Sequence, residues 1–193
     1  MSVDTSTEWE TIERCRRGNA AAFEPLVRTH EGRALVLAEA LLGSRDDAAD
    51  AVQEAFVKAY RALGRLRPGS SFGPWFRTIL RNHCRDRLRS EAGRSAVAWE
   101  AEVVDPSAAT LPTAPVELER AELAALVRTA LAGLSPEHRE VLILKEMEGM
   151  SYAEIARETG APAGTIASRL HHARALLRER VLSGGALTEG ADA

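Results

Sequence analysis

The sequence is poor in aromatic residues and cysteine, and each shortage excludes a class of protein. Aromatic residues make up 5% of the 193 residues, so the interior must be built mainly from Leu, Ala, Val and Ile, which favours helices over sheets. The two cysteines, Cys15 and Cys84, suggest neither a metal cluster nor a disulfide framework. Long apolar runs and a signal-peptide pattern are also missing. We therefore expect a cytoplasmic helical protein that needs no metal or other cofactor.

Charge is unevenly distributed along the chain. The formal net charge of −3 argues against nucleic-acid binding when the chain is taken as a whole. Residues 61–94, however, contain nine arginines and two acidic residues, a local net charge of +7, whereas residues 96–122 contain one arginine and six acidic residues, a local net charge of −5. The basic block predicts local phosphate binding within a chain that binds DNA weakly on its own.

Apolar residues recur at helical spacing along most of the chain, which predicts an all-α fold. Start and stop signals place helices at about 7–17, 20–42, 45–63, 74–89, 117–132, 136–148, 152–159 and 163–181. Residues 95–116 hold three prolines among small and acidic residues, which is typical of a flexible linker. We thus predict a first domain over 8–94, a linker over 95–116, a second domain over 117–182 and a disordered glycine-rich tail over 183–193.

Residues 135–181 are typical of a helix-turn-helix. A Ser151–Glu154 capping-box pattern opens the short middle helix, and Gly160 supplies the turn before a helix that starts at Pro162. The residues predicted to face inward are Tyr152, Ile155, Ala156, Ile166, Leu170, Ala173 and Leu177. The opposite face of the last helix carries short polar and basic side chains, which can reach base edges and phosphates in the major groove. From this segment alone, a solvated helical hairpin remains an alternative.

Two surfaces of the first domain invite a binding role. In the helix over 45–63, where Val52, Ala55, Phe56, Ala59 and Leu63 face the core, the opposite side carries a carboxylate face formed by Asp50, Gln53, Glu54 and Val57. Such a mixed face suits docking to a basic partner helix, although a solvated charged face is the ordinary interpretation.

The helix over 74–89 carries arginines at four-residue steps, at positions 77, 81, 85 and 89. Phe72, Trp75 and Phe76 lie at its start, next to the Ser70–Ser71 loop. Cationic groups beside aromatic rings and a loop are what single-stranded nucleic acid requires, although at least one of the aromatic residues is expected to be core. No Ser/His/Asp set, phosphate-binding glycine loop or paired carboxylates were found, which argues against an enzyme.

Taken together, these segments resemble the extracytoplasmic-function (ECF) sigma factors of bacterial RNA polymerase. The matching strings are DDAADAVQEAFVKAY at 46–60, FGPWFRTILRNHCRDRL at 72–88, LSPEHREVL at 134–142, GMSYAEIAR at 149–157 and GTIASRL at 164–170. The resemblance spans about residues 10–182, and the order and spacing of the motifs make it specific. Ala167, His172 and the Gly73-Pro74 pair depart from the usual pattern, which leaves the preferred bases open.

The resemblance implies two helical domains that bind core RNA polymerase and promoter DNA. The carboxylate face would bind the clamp helices of the β′ subunit, and the second domain would touch the β flap. Residues implied at the minus-ten element are Ser70, Ser71, Phe72, Trp75, Arg77, Arg81, Asn82 and Arg85. Residues implied at the minus-thirty-five element are Thr165, Ala167, Ser168, Arg169, His171, His172 and Arg174. We also expect control by a separate anti-sigma protein.

Two other classes compete with this interpretation. A stand-alone helix-turn-helix repressor or activator would dimerise and bind a palindrome tightly without polymerase, but it leaves the basic block and the acidic linker unexplained. A nucleic-acid-processing enzyme is opposed by the missing catalytic groups.

Overall fold

A computed structural model describes residues 5–95 and 115–188, with side chains from 8 to 90 and from 122 to 183. Regular structure in these ranges is helical throughout, which confirms the predicted all-α fold. The α-helices are α1 (Thr5–Arg16), α2 (Glu24–Leu42), α3 (Arg45–Ala62), α4 (Phe72–Ser95), α5 (Pro115–Ala132), α6 (Pro136–Glu146), α7 (Tyr152–Thr159) and α8 (Ala163–Thr188). The chain divides into two compact units, Met1–Trp99 and Glu100–Ala193, so the prediction of two small helical domains is also confirmed.

In the first unit, α2, α3 and α4 pack around a core rich in phenylalanine. Phe56 and Phe72 both stack on Phe76, with ring centroids 4.1 and 5.6 Å away, and Phe23 meets Phe56 and Phe72 edge-on. The few aromatic residues are thus concentrated where the three helices meet, in the offset and edge-to-face geometries that aromatic pairs prefer. The predicted inward residues of α3 and its end are confirmed as buried: Val52, Ala55, Phe56, Ala59 and Leu63.

The second unit has its own core, built by α6, α7 and α8 around Leu134, Val141, Leu142, Leu144, Ile155, Ile166, Leu170 and Ala173. The capping box at α7 is present, because Ser151 Oγ accepts from the Glu154 N–H and the Glu154 carboxylate accepts from the Ser151 N–H. Gly160 then turns the chain with φ +73°, in the left-handed region that glycine tolerates best. These local features produce the predicted helix-turn-helix.

Three predicted inward or boundary assignments were wrong. Tyr152 is 38% exposed rather than buried. It is the first residue of α7, where its ring lies 5.6 Å from the Lys145 ammonium. Helix α4 begins at Phe72, two residues before the predicted start, and runs to Ser95. Helix α8 continues to Thr188, into the tail that was expected to be disordered from 183.

The helical extensions have simple causes. Glycine in a helix interior costs only about 1 kcal/mol relative to alanine, so an established helix such as α8 can continue through Gly184 and Gly185. Pro115 opens α5 because its fixed φ suits the first turn. The rest of the predicted linker, residues 96–114, and the end of the predicted tail, 189–193, lie outside the described residues.

None of the helices within the described ranges combines the length and apolar character needed to cross a membrane. The same ranges contain no group of three or more His, Cys, Asp or Glu side chains arranged to hold a metal ion.

Candidate nucleic-acid interface

The carboxylate face of α3 is exposed along its whole length, with Asp50, Gln53, Glu54 and Val57 all open to solvent. Val57 is 49% exposed, so its apolar side chain is open to contact by a partner. Because an apolar side chain lies among acidic and amide groups, the face offers a partner both negative charge and an apolar contact that excludes water. The structure therefore brings together the four residues that the sequence placed on this face.

His83 of α4 lies directly behind the carboxylate face, a contact that no sequence pattern indicates. Its ring is 7% exposed; Nδ1 accepts from the Lys58 ammonium at 2.5 Å, and Nε2 lies 3.2 Å from Glu54 Oε2. Burial and the neighbouring Lys58 charge lower the pKa of His83, an effect that Glu54 and Asp86 oppose and Arg87 reinforces. The lowered pKa favours the neutral imidazole, and Nε2 lies near the Glu54 carboxylate without making a hydrogen bond to it.

The minus-ten candidates divide into three groups by exposure. Ser71 and Asn82 are exposed, and Ser70, Trp75, Arg77 and Arg85 are half-buried. Phe72 and Arg81, however, are 0% and 5% exposed, so their predicted placement on the surface was wrong. Phe76 is core, as expected for at least one aromatic residue.

Both errors have a geometric origin. Phe72 is the first residue of α4 rather than part of a loop, so its ring turns into the aromatic core. Arginines at four-residue steps define one side of α4, about 120° wide from Arg77 to Arg89, but the spacing does not show whether other elements cover that side. The structure covers it at Arg81, whose guanidinium donates to Thr78 Oγ1 at 3.3 Å.

The loop over 66–71, just before α4, is held by residues of α1 that the sequence analysis missed. The Arg16 guanidinium donates to the Leu63 and Leu66 carbonyls, and the buried Glu8 carboxylate accepts from the Phe72 N–H. These contacts join residues 47 to 64 positions apart in the chain, a separation that no local periodicity reveals.

On α8, the buried and exposed faces are those predicted for a recognition helix. Ile166, Leu170 and Ala173 are fully buried, whereas Thr165 and Arg169 are half-buried. The exposed candidates are Ala167, Ser168, His171, His172 and Arg174. Most of the polar face thus lies outside the apolar core that holds α8 in place.

Two of these exposed side chains already have partners. Arg174 donates to Glu146 Oε1 of α6 at 2.7 Å, and this hydrogen bond and ion pair raise the pKa of the guanidinium. His172 Nδ1 lies 3.0 Å from the Ser168 carbonyl oxygen. A DNA phosphate would have to compete with Glu146 for Arg174.

Comparisons with known proteins agree with the two units. Residues 26–94 match the family model for sigma-70 region 2, and residues 124–177 match that for sigma-70 region 4. The chain is 34% identical over 171 residues to the RNA polymerase sigma-H factor of Pseudomonas aeruginosa, covering 86% of this chain and 89% of the relative. It is 32% identical over 181 residues to the ECF RNA polymerase sigma-E factor of Escherichia coli, covering 91% and 94%.

Among solved structures, the chain resembles the sigma factor RpoE of Bartonella quintana, crystallised with the anti-sigma factor NepR. The TM-score is 0.62 at 27% identity, over 82% of this chain and 96% of that one. Two family models in the expected order and relatives matched over nearly their full length establish the assignment. The protein belongs to the ECF subfamily of RNA polymerase sigma factors and is a transcription initiation factor, not an enzyme.

Proposed function

We propose that the chain holds a promoter at two points while bound to core RNA polymerase in the cytoplasm. The carboxylate face binds the β′ clamp helices, α4 and the 66–71 loop open and hold the minus-ten element, and α8 lies in the major groove of the minus-thirty-five element. The second unit also touches the β flap. This proposal rests on one observation: each of two separately packed units exposes its own set of polar and charged side chains.

The charge distribution along the chain supports DNA binding that depends on polymerase. A net charge of −3 predicts weak binding by the free chain, although the first unit holds a basic block. Once polymerase holds both units and one promoter element is bound, binding of the other element is intramolecular. A high effective concentration then compensates for the weak affinity of each unit for DNA. We therefore expect specific promoter binding only with core polymerase present.

At the minus-ten element, the exposed Ser71 and Asn82 would contact an unstacked base, and the half-buried Arg77 and Arg85 the backbone. Arg85 Nη1 already donates to Asn82 Oδ1 at 3.5 Å, so a base would compete with it for that oxygen. At the minus-thirty-five element, Ser168 and Arg169 occupy the part of α8 that can approach base edges, and Arg174 lies farther along. Contacts to phosphates would fix the position of the protein along the DNA, and contacts to base edges would determine the sequence preference.

Binding to core polymerase tests the proposal through Glu54→Arg. The Glu54 side chain is 60% exposed, so an arginine there can extend into water without disturbing the fold. Reversing the charge opposite a basic partner should weaken core binding by about tenfold or more, since like charges across an interface cost several kcal/mol. Glu31→Arg, an exposed acid on α2, provides the matched control, and equal affinity of the two variants for core would contradict the role of the carboxylate face.

The second class weighed from the sequence, a stand-alone helix-turn-helix repressor, does not fit a chain that belongs to the ECF sigma factors.

We further propose an anti-sigma protein as a partner, because the matched Bartonella quintana structure is a complex with such a protein. Co-purification of the tagged full chain from its native cell should recover the partner under non-inducing conditions. Recovery of core polymerase alone under every growth condition would count against this part of the proposal.

A further inference from the structure

Helix α1 contacts both ends of the 66–71 loop through two charged side chains. At the first end, Arg16 Nη2 donates to the Leu63 carbonyl at 2.8 Å and also to the Leu66 carbonyl. The guanidinium is itself oriented by Glu13 Oε1, 2.9 Å away, and by the Trp9 ring, whose centroid is 4.9 Å away. Arg16 thus fixes the point at which the chain leaves α3 and enters the loop.

At the second end, Glu8 holds the start of α4. Its side chain is only 9% exposed, and both oxygens are used: Oε2 accepts from the Phe72 N–H at 3.1 Å and Oε1 from His30 Nε2 at 3.1 Å. The first N–H groups of a helix lack intrahelical partners, and a carboxylate there also favours the positive end of the helix dipole. Glu8 supplies such an acceptor from 64 residues away.

His30 tightens this second contact from another side. Its ring centroid lies 5.2 Å from that of Phe72, and a Cβ added at Gly73 would come within 3.0 Å of His30 Cε1. The backbone of α4 therefore approaches His30 as closely as a glycine allows. The beginning of α4 cannot shift along its axis without breaking contacts to α1 and α2.

Between the two fixed ends, the apex of the loop is open. Arg67, Pro68, Gly69 and Ser71 are exposed and Ser70 is half-buried, with a turn closed by the Ser70 N–H and the Arg67 carbonyl at 3.1 Å. Glu8 and Arg16 are eight residues apart on one helix, a spacing of about 12 Å. Because both ends of the loop contact the same helix, their movement relative to each other is restricted, while the apex stays exposed.

We propose that α1 acts as a splint for promoter opening, with Glu8 and Arg16 as positioning residues that hold the 66–71 loop in shape to receive an extruded minus-ten base. This inference rests on the proposed function, which assigns the loop to that element. An extruded base has lost its stacking and pairing, so the protein must offer a site that is already formed. Pre-ordering the loop removes an entropy cost from the binding step.

The size of the effect follows from that entropy cost. Fixing the backbone of one residue costs roughly 1–2 kcal/mol, equivalent to about 5- to 30-fold in an equilibrium constant. Releasing either end of the loop frees at least one residue, so each release should weaken capture of single-stranded minus-ten DNA by about tenfold. Core binding should not change, because the carboxylate face lies on α3 and takes no part in these contacts.

The test uses the full chain assembled with core polymerase, in the variants Glu8→Ala, Glu8→Gln and Arg16→Ala. Glu10→Ala and Arg17→Ala are charge-matched controls, since both residues are exposed on the same segment. Two affinities are measured for each: that for core, and that of the holoenzyme for a non-template minus-ten oligonucleotide carrying 2-aminopurine, whose fluorescence rises when it unstacks. Tryptophan fluorescence in urea monitors the folding of the first unit.

We expect Glu8→Ala and Arg16→Ala to keep core affinity and to lose about tenfold in capture of the oligonucleotide. Glu8→Gln retains an acceptor for the Phe72 N–H and should recover most of the loss, which a general loss of packing would not allow. Should Glu8→Ala fail to fold, Arg16→Ala carries the test, because that side chain is 23% exposed and its removal leaves a smaller buried defect.

Two results would overturn the splint. One is unchanged oligonucleotide capture in both alanine variants; the other is a parallel loss of core and oligonucleotide affinity, which would make Glu8 and Arg16 merely structural. Failure of the wild-type holoenzyme to capture the oligonucleotide would instead refute the proposed function, and the splint with it.

Discussion

Leu170→Ala should destabilise the second unit selectively and leave the stability of the first unit unchanged. Leu170 is 0% exposed at the centre of the second core, between Ile166 and Ala173 on one side and Ile155 and the α6 leucines on the other. Truncating a fully buried leucine costs about 2.7–5.0 kcal/mol, of which the residual cavity is the variable part. A unit of roughly 70 residues has a total stability of about 4–11 kcal/mol, so the substitution removes a large fraction of it.

Leu182→Ala is the matched control, because it makes the same chemical change on the same helix at a side chain that is 67% exposed. Exposed substitutions of this kind stay within about 0.5 kcal/mol, and alanine is at least as good a helix former as leucine. The difference between the two variants therefore measures burial alone. We expect it to be about 3 kcal/mol.

Urea denaturation of the full chain can separate the two units. No tryptophan lies beyond residue 99, and Trp9 and Trp75 lie in helices of the first unit, so tryptophan fluorescence follows the unfolding of that unit whereas far-UV ellipticity reports both. With a urea m-value of about 1 kcal/mol/M for a small unit, Leu170→Ala should move part of the ellipticity change to lower urea by about 2 M or more. A fluorescence midpoint that shifts together with the ellipticity would refute the independence of the two cores.

Three further outcomes follow from single residues. The pKa of His83 is lower in the folded than in the unfolded chain. Below the ordinary histidine pKa of about 6.5 the unfolded chain therefore binds more protons, and the first unit should lose stability as the pH falls. His83→Gln should lessen this loss, measured as urea midpoints by tryptophan fluorescence, and equal pH dependence in the two proteins would contradict the assignment. Burial raises the pKa of the fully buried Cys84 thiol to about 12, so alkylation by iodoacetamide at pH 8 should occur only in urea, and rapid labelling of the native chain would disprove that burial. Gly160→Ala should destabilise the second unit by about 1–2 kcal/mol, because φ is +73° while the added Cβ meets nothing within 4 Å; a larger loss in thermal melts would mean that space, not backbone strain, limits the turn.

The sequence predicted those parts of the fold that depend on local patterns. The buried side of α3, the capping box at Ser151 and the turn at Gly160 each arise within a few residues, so periodicity and capping rules were sufficient. The same rules placed Ile166 and Leu170 on the buried side of α8 correctly. Neighbouring residues decide these features, and tertiary packing only reinforces them.

The errors and omissions arise where distant segments meet. Arg81 was assigned to the surface by its spacing, but the neighbouring elements cover that side of α4. No local pattern singles out Glu8, and only the fold brings its carboxylate to the Phe72 N–H. The contacts of His83 likewise lie on another helix, α3. Contacts of this kind between distant segments leave no periodic pattern in the sequence.

Run-off transcription with purified core polymerase on a pool of genomic promoter fragments tests the central claim most directly. The account predicts transcripts only when the protein and core are both present, each starting at a fixed distance downstream of a shared pair of elements at minus ten and minus thirty-five. Arg169→Ala should reduce these transcripts, since Arg169 lies on the α8 face that we place in the groove. Absence of initiation on every fragment, despite an intact fold, would contradict the account.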